Sequence, residues 1–217
     1  MRCRFQIMNS QRIPRFTFSE RVIHWAVGAS FVFLLVTGLA FSHPRLYWLT
    51  YLVGGGSTAR ALHPLAGILF SVSLILMFFV WLKDMGLDSQ DRKWLKAIMH
   101  YIKHDRDKVP EAGKYNAGQK VFFWSMALLG LLYLITGVIM WKPEGILGLG
   151  PFYGSIVNFM RLVHYLVTVV GGLLLIVHVY LGTAAYPGTL GGMLHGSVTQ
   201  SWAALHHPRW RRDKRSP

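Results

Sequence analysis

Four stretches of this chain are apolar for about 20 residues each, the length of helix needed to cross a hydrocarbon core about 30 Å thick. They cover residues 22–41, 62–82, 121–141 and 156–183. Lipid offers no partner to a bare backbone N–H or C=O, so each stretch has to be helical. Hydrophobic residues make up 53% of the chain and charged ones only 15%, where a soluble domain carries roughly a quarter charged. The first stretch is too long for the apolar part of a cleavable signal, and no small-residue cleavage site follows it. The expected fold is therefore all-α: a polytopic membrane four-helix bundle, one domain over residues 1–217.

The net charge of +14 is sorted by loop. Five Lys or Arg precede the first span (Arg2, Arg4, Arg12, Arg15, Arg21), nine lie between Lys83 and Lys120, and five lie between Arg209 and Arg215. The other two loops hold two each, Arg45 with Arg60 and Lys142 with Arg161. Lys and Arg collect on the cytoplasmic side of membrane proteins, which puts both termini and the middle loop there. A bias that follows loop parity, with no recognition motif, argues against a nucleic-acid partner. Trp25, Trp81 and Trp124 on the inner side, and Tyr47, Trp48, Tyr51, Trp141 and Tyr153 on the outer side, are expected as interfacial anchors.

Against this background four histidines stand out: His24, His63, His164 and His178. Ionisable groups at membrane depth are costly and usually functional. His164 and His178 are fourteen residues apart on one span, which is about 21 Å along a helix axis. Fourteen steps leave an angular offset of roughly 40°, so the two share a face. The topology makes His63 and His164 outer, and His24 and His178 inner. Two depth-matched imidazole pairs suit two b-type haems, each closed by two axial histidines and built for electron transfer. The one cysteine, Cys3, supports neither a disulfide, an iron–sulfur cluster nor covalent haem attachment, and is expected to be an inert tail residue. Gly67, Gly171 and Gly172 lie on the stripes beside these histidines, and Leu35-Val36-Thr37-Gly38 resembles Leu134-Ile135-Thr136-Gly137. Such small residues clear space for a macrocycle or for close helix packing. The remaining histidines, His43, His100, His104, His195, His206 and His207, are expected to be interfacial or partner-facing. His43, at outer depth, is the one able to disturb the pairing. A haem-free membrane anchor or a proton-conducting bundle is the rival of another class, weakened by the scarcity of intramembrane Asp and Glu.

Several segments together resemble the gamma (cytochrome b556) subunit of membrane-bound respiratory formate dehydrogenases. They are Arg21-Val22-Ile23-His24-Trp25, Arg60-Ala61-Leu62-His63-Pro64, Lys114-Tyr115-Asn116-Ala117-Gly118-Gln119-Lys120 and His206-His207-Pro208-Arg209-Trp210, with the two histidines of the last span. The resemblance covers nearly the whole chain. Paired helical histidines alone also occur in the cytochrome b of nickel–iron hydrogenases, which is the alternative within this class. The resemblance implies two haems b, ligated by His24 with His178 and by His63 with His164. It also implies a quinone pocket (menaquinone or ubiquinone) beside the inner haem, lined by Asn116 and Gly118 and adjoining His178, with Gln119 as a further polar contact. Asn116 also stands where a helix N-cap would be, and Lys114 and Lys120 read as positive-inside residues rather than ligands. Further implications are an iron–sulfur (beta) subunit as donor, a molybdenum- or tungsten-containing catalytic (alpha) subunit for formate oxidation, and a bacterial inner-membrane location in anaerobic respiration. Formate oxidation itself is not expected on this chain, since nothing in it would hold molybdenum or tungsten. The outer loops, with Gly54-Gly55-Gly56 and Gly148-Leu149-Gly150, match less well.

Overall fold

The structure is a computed structural model that describes residues 11–103, 105–141 and 153–213. Cys3, His104, Lys142, the Gly148–Gly150 segment and the basic residues Arg2, Arg4, Lys214 and Arg215 lie outside the described residues. In chain order the elements are β1 (Arg12–Pro14), α1 (Phe18–Ser42), a 3₁₀ segment (Pro44–Val53), α2 (Gly56–Trp81), α3 (Ser89–Lys96), α4 (Ile98–Ile102), α5 (Ala117–Trp141) and α6 (Tyr153–Tyr180). A π turn (Leu181–Ala185), α7 (Leu190–His195), β2 (Ser197–Thr199), α8 (Gln200–His206) and α9 (Pro208–Asp213) follow.

The helices α1, α2, α5 and α6 are each long and apolar enough to span a membrane. Three of them, α1, α2 and α5, begin about four to six residues ahead of the expected spans; in α1 and α5 polar capping residues extend the helix beyond its apolar run. The Thr17 hydroxyl accepts the Glu20 N–H at 3.2 Å, and the Glu20 carboxylate accepts the Thr17 N–H at 2.6 Å. This reciprocal capping box satisfies donors that the first turn otherwise orphans. The start of α2 is set differently. Gly54 and Gly55 both have φ +92°, a left-handed conformation open to glycine, and Gly55 donates to Thr50 O at 2.8 Å to close the 3₁₀ segment.

The described residues form two compact units. One consists of Val22–Phe78 and Met126–His178, the interiors of the four long helices. Leu65, Leu69, Leu76, Leu162, Leu166 and Ile176 are all more than half exposed, as suits helices whose outer faces meet lipid rather than water. Inside, Val27, Phe31, Phe70 and Leu74 form the core, with Leu34, Met77, Tyr133 and Leu175 packed against them. Phe31, Phe70 and Tyr133 make a ring trio with centroids 5.5–6.1 Å apart. Tyr133 donates its hydroxyl to Val167 O at 2.9 Å, which relieves the cost of burying it. Gly171 makes this contact fit: a Cβ there would lie 2.5 Å from the Tyr133 oxygen and 3.1 Å from Phe31 Cζ.

The other unit consists of residues 11–21, 79–125 and 179–213, the three segments that the charge bias assigns to the cytoplasmic side. β1 pairs antiparallel with β2, with Ile13 opposite Val198. Val198, Trp202, Ala203 and Trp210 form a small core that Ile13 joins. The middle segment contains α3 and α4. Asp88 opens α3 through a capping box with Asp91. Lys120 is 7% exposed, and its Nζ lies 2.7 Å from Asp91 Oδ2 and 2.8 Å from Gly86 O. Lys114 pairs with Asp84 at 2.9 Å.

Two expectations are corrected in this unit. Trp81 is not an interfacial anchor: it is buried, and its Nε1 donates to Glu20 at 2.9 Å. His207 does not face a partner. It is 2% exposed, donates Nδ1–H to Gly113 O at 2.7 Å, and accepts from Arg15 Nη2 at 3.2 Å. The Arg15 guanidinium is buried between the rings of Trp202 and Trp210, 4.9 Å from each centroid. Burial lowers its pKa to about 10, so it stays charged at neutral pH.

Candidate functional site

His24 comes from the first turns of α1 and His178 from the end of α6. Their ring centroids stand 5.9 Å apart with an interplanar angle of 46°. Imidazole nitrogens bind a metal at about 2 Å, so two rings gripping one ion from opposite sides stand roughly 6 Å centre to centre. Two imidazoles are too few for a bare ion, and among the described residues no group of three or more His, Cys, Asp or Glu is placed to hold one. They suit an iron whose other four positions are filled by a macrocycle.

His63 on α2 and His164 on α6 line one cavity of about 280 Å³. Gly38, Gly67 and Gly137 border it, with Phe31, Phe41 and Tyr133. A Cβ at Gly67 would meet nothing within 4 Å, while one at Gly38 would lie 3.8 Å from His63 Cε1 and one at Gly137 3.8 Å from His164 Cε1. The walls are apolar and the convergent polar groups are few, the usual make-up of a cofactor pocket. Gly171 instead makes room for Tyr133 and Phe31, and Gly172 for Leu35.

The threonines ahead of Gly38 and Gly137 carry more than their small size. Thr37 Oγ1 lies 2.6 Å from His63 Nδ1, and Thr136 Oγ1 lies 2.7 Å from His164 Nδ1. Neither was singled out as a site residue from sequence. The repeated Leu-Val-Thr-Gly and Leu-Ile-Thr-Gly segments were the available signal.

His43 does not compete for the outer pair. It caps the 3₁₀ segment, its Nδ1 accepting from Arg45 N at 3.1 Å. His100 faces Asp105 at 3.2 Å, and His206 packs on Tyr186 and Trp202.

Asn116, Gly118 and Gln119 sit at the start of α5, in the unit that holds the basic segments. Asn116 Oδ1 accepts Gln119 N–H at 2.9 Å, and Gln119 Oε1 accepts Asn116 N–H at 2.9 Å. This is a capping box, and it uses only the oxygen of each amide. Gly118 lies under Trp94: a Cβ there would be 3.3 Å from both Trp94 Cη2 and Asn116 Oδ1.

The family profile of prokaryotic cytochrome b561 matches residues 15–196. Similar proteins include the cytochrome b556(Fdn) subunit of the nitrate-inducible formate dehydrogenase of Escherichia coli (strain K12), 35% identical over 94% of this chain and 92% of the relative. The cytochrome b556(fdo) subunit of formate dehydrogenase from the same strain is 34% identical over 94% and 93%. The cytochrome b556 subunit of formate dehydrogenase from Haemophilus influenzae is 33% identical over 97% and 87%.

Proposed function

The chain belongs to the prokaryotic cytochrome b561 family, a family of membrane helical bundles, and from its similarity to formate dehydrogenase cytochrome b556 subunits we propose that it is the cytochrome b subunit of a formate dehydrogenase complex, passing electrons to quinone. On this reading His24 with His178, and His63 with His164, hold two haems b. The carrying observation is the approach of His24 to His178 at 5.9 Å between ring centres, at the opposite end of the bundle from the cavity shared by His63 and His164. When bound, haem b supplies one-electron carriage between an iron–sulfur partner and quinone.

The residues of the chain do the rest. Two imidazoles at each site would leave a bound haem iron no open position for oxygen or substrate, which favours carriage over bond chemistry. Phe31 and Tyr133 fill the space beside Gly171, midway along α6 between its two histidines. Asn116 and Gly118 suit a quinone contact, since the Asn116 NH₂ is a donor that its cap does not use, and Gly118 carries a first-turn N–H with no carbonyl one turn back in its helix. The names of the relatives support a complex with catalytic and iron–sulfur subunits, and support a bacterial inner-membrane location.

The test is haem content per chain, measured on the purified protein with a reduced-minus-oxidised spectrum. Two b haems are expected in the wild type, and at most one in His164→Ala and in His178→Ala. A flat spectrum would mean a haem-free anchor. Two haems retained in either variant would remove that histidine from the ligands.

A further inference from the structure

The contacts of Thr37 and Thr136 repeat each other across two helix pairs. In both, a threonine followed by glycine on one helix meets a histidine on the next, α1 with α2 and α5 with α6. Both hydroxyls are sealed from solvent, at 0% and 1% exposure. Thr37 Oγ1 bonds Phe33 O at 2.9 Å and His63 Nδ1 at 2.6 Å. Thr136 Oγ1 bonds Leu132 O at 2.6 Å and His164 Nδ1 at 2.7 Å.

A hydroxyl has one proton to give. A carbonyl oxygen can only accept, so at 2.9 and 2.6 Å that proton belongs to Phe33 O and Leu132 O. The opposite assignment would press two proton-free oxygens together at these distances. Each threonine therefore accepts from its histidine, and Nδ1 carries the ring proton. A neutral imidazole protonated at Nδ1 presents its lone pair at Nε2. Ordinary back-bonding to the preceding turn does not account for the arrangement. Ser30, Thr168 and Thr183 also bond the carbonyl four residues back, so back-bonding by itself does not bring a histidine nitrogen to the hydroxyl.

We propose that Thr37 and Thr136 are positioning residues for the outer haem, each locking its histidine in the tautomer that ligates through Nε2. The inference rests on the reading of His63 and His164 as axial ligands. It adds that the two hydroxyls set the orientation of both rings and their electron donation to the iron. A hydrogen-bond acceptor on the far nitrogen makes a histidine ligand more basic and orients it, and stronger axial donation favours the oxidised iron. Both threonines therefore hold the outer midpoint potential down.

The experiment compares Thr37→Val, Thr136→Val and the double variant with Thr37→Ser and Thr136→Ser, all in the full-length chain within its assembled complex. Haem per chain, optical redox titration and low-spin electron paramagnetic resonance are the readouts. Valine keeps the shape and loses the acceptor, while serine keeps the acceptor. Each valine variant is expected to shift the outer haem to a more positive potential with altered g values, the double variant further, and the inner haem not at all. Both serine variants should match the wild type. Loss of the outer haem in valine variants that serine restores would support the lock equally. Wild-type potential and g values in both valine variants would overturn it, as would equal impairment by serine and valine, which would mark a packing role. Two haems retained in His63→Ala would sink the ligand reading itself, a separate result that the threonine variants do not produce.

Discussion

Lys120 offers the sharpest test of how the unit outside the histidine pairs is held together. Its ammonium is buried against Asp91, itself 7% exposed, at 2.7 Å. Asp91 Oδ2 also accepts the Asp88 N–H at 2.9 Å, as part of the cap on α3. Lys120→Met keeps most of the apolar stem and removes the charge, leaving the Asp91 carboxylate buried with one backbone donor. Breaking a buried pair from one side costs about 3–5 kcal/mol. If the loss appears as local opening of α3, at about 1.4 kcal/mol per factor of ten, amide protection there falls by about two to three and a half decades. Asp91→Asn in the Lys120→Met background removes the stranded charge, and its amide oxygen still accepts from Asp88. Most of the protection should return. The assay is hydrogen–deuterium exchange on peptides covering Ser89–Lys96, with the haem spectrum followed in parallel to show that the bundle is intact. A loss of less than tenfold in Lys120→Met, or a double variant no better protected than the single, would refute the claim that this is a coupled buried pair.

Three further outcomes follow from other contacts. Burial, and then the neighbouring Arg15 charge, hold the His207 pKa well below its ordinary value. Below about pH 6.5 the unfolded chain takes up a proton that the folded one refuses. Stability of the tail helices is then full above that pH and declines by up to about 1.4 kcal/mol per unit as pH falls. Exchange of α8 and α9 amides against pH reads this, and the slope should vanish in His207→Gln. Asn116→Ala removes a cap worth about 1 kcal/mol and the proposed quinone donor, whereas Asn116→Asp keeps the cap and loses only the donor. Both should slow quinone reduction with haem spectra unchanged, and normal turnover in Asn116→Asp would end the donor assignment. Gly171→Val drives a branched side chain at Tyr133 and Phe31, an overpacking cost of about 1–3 kcal/mol, visible as a lower Tm of the purified protein.

The spanning helices were legible because lipid imposes a length and a composition that no other element meets, and depth followed from loop charge. That alone brought His24 toward His178, and His63 and His164 to one level. The helix starts were harder to read. Thr17 with Glu20 and Asn116 with Gln119 are polar, so a hydropathy criterion trims them off, although their spacing is a capping signature. How the segments of the other unit pack together was not legible. Arg15 meets His207 across 192 residues and Arg12 meets Ser197 across 185. Contacts of that range leave no periodicity in either segment. Thr37 falls between these cases: its repeat in Thr136 is plain in the sequence, but the histidine it serves lies on the next helix.

The two segments that carried the family resemblance most specifically are not where the haems would sit. Lys114–Lys120 and His206–Trp210 are instead halves of one clamp. His207 holds Gly113 O, Arg209 N donates to Ala112 O, and Trp210 covers the guanidinium of Arg15, whose Nη2 donates to Lys114 O at 2.7 Å. Lys114 and Lys120 pin the same segment through Asp84 and Asp91. These contacts and the Asn116–Gln119 cap leave the Asn116 NH₂ and the first-turn N–H of Gly118 among the donors of this segment that the cap does not use. A segment held at Lys114 and Lys120, with Ala112 and Gly113 fixed just ahead of it, presents its unspent donors rigidly. Binding sites gain precision when their contacts are held by such support rather than by a free loop. On the proposed function, the family-typical residues around Asn116 therefore serve quinone indirectly, by keeping one amide and one helix terminus in place, and the direct contact falls to the atoms they leave free.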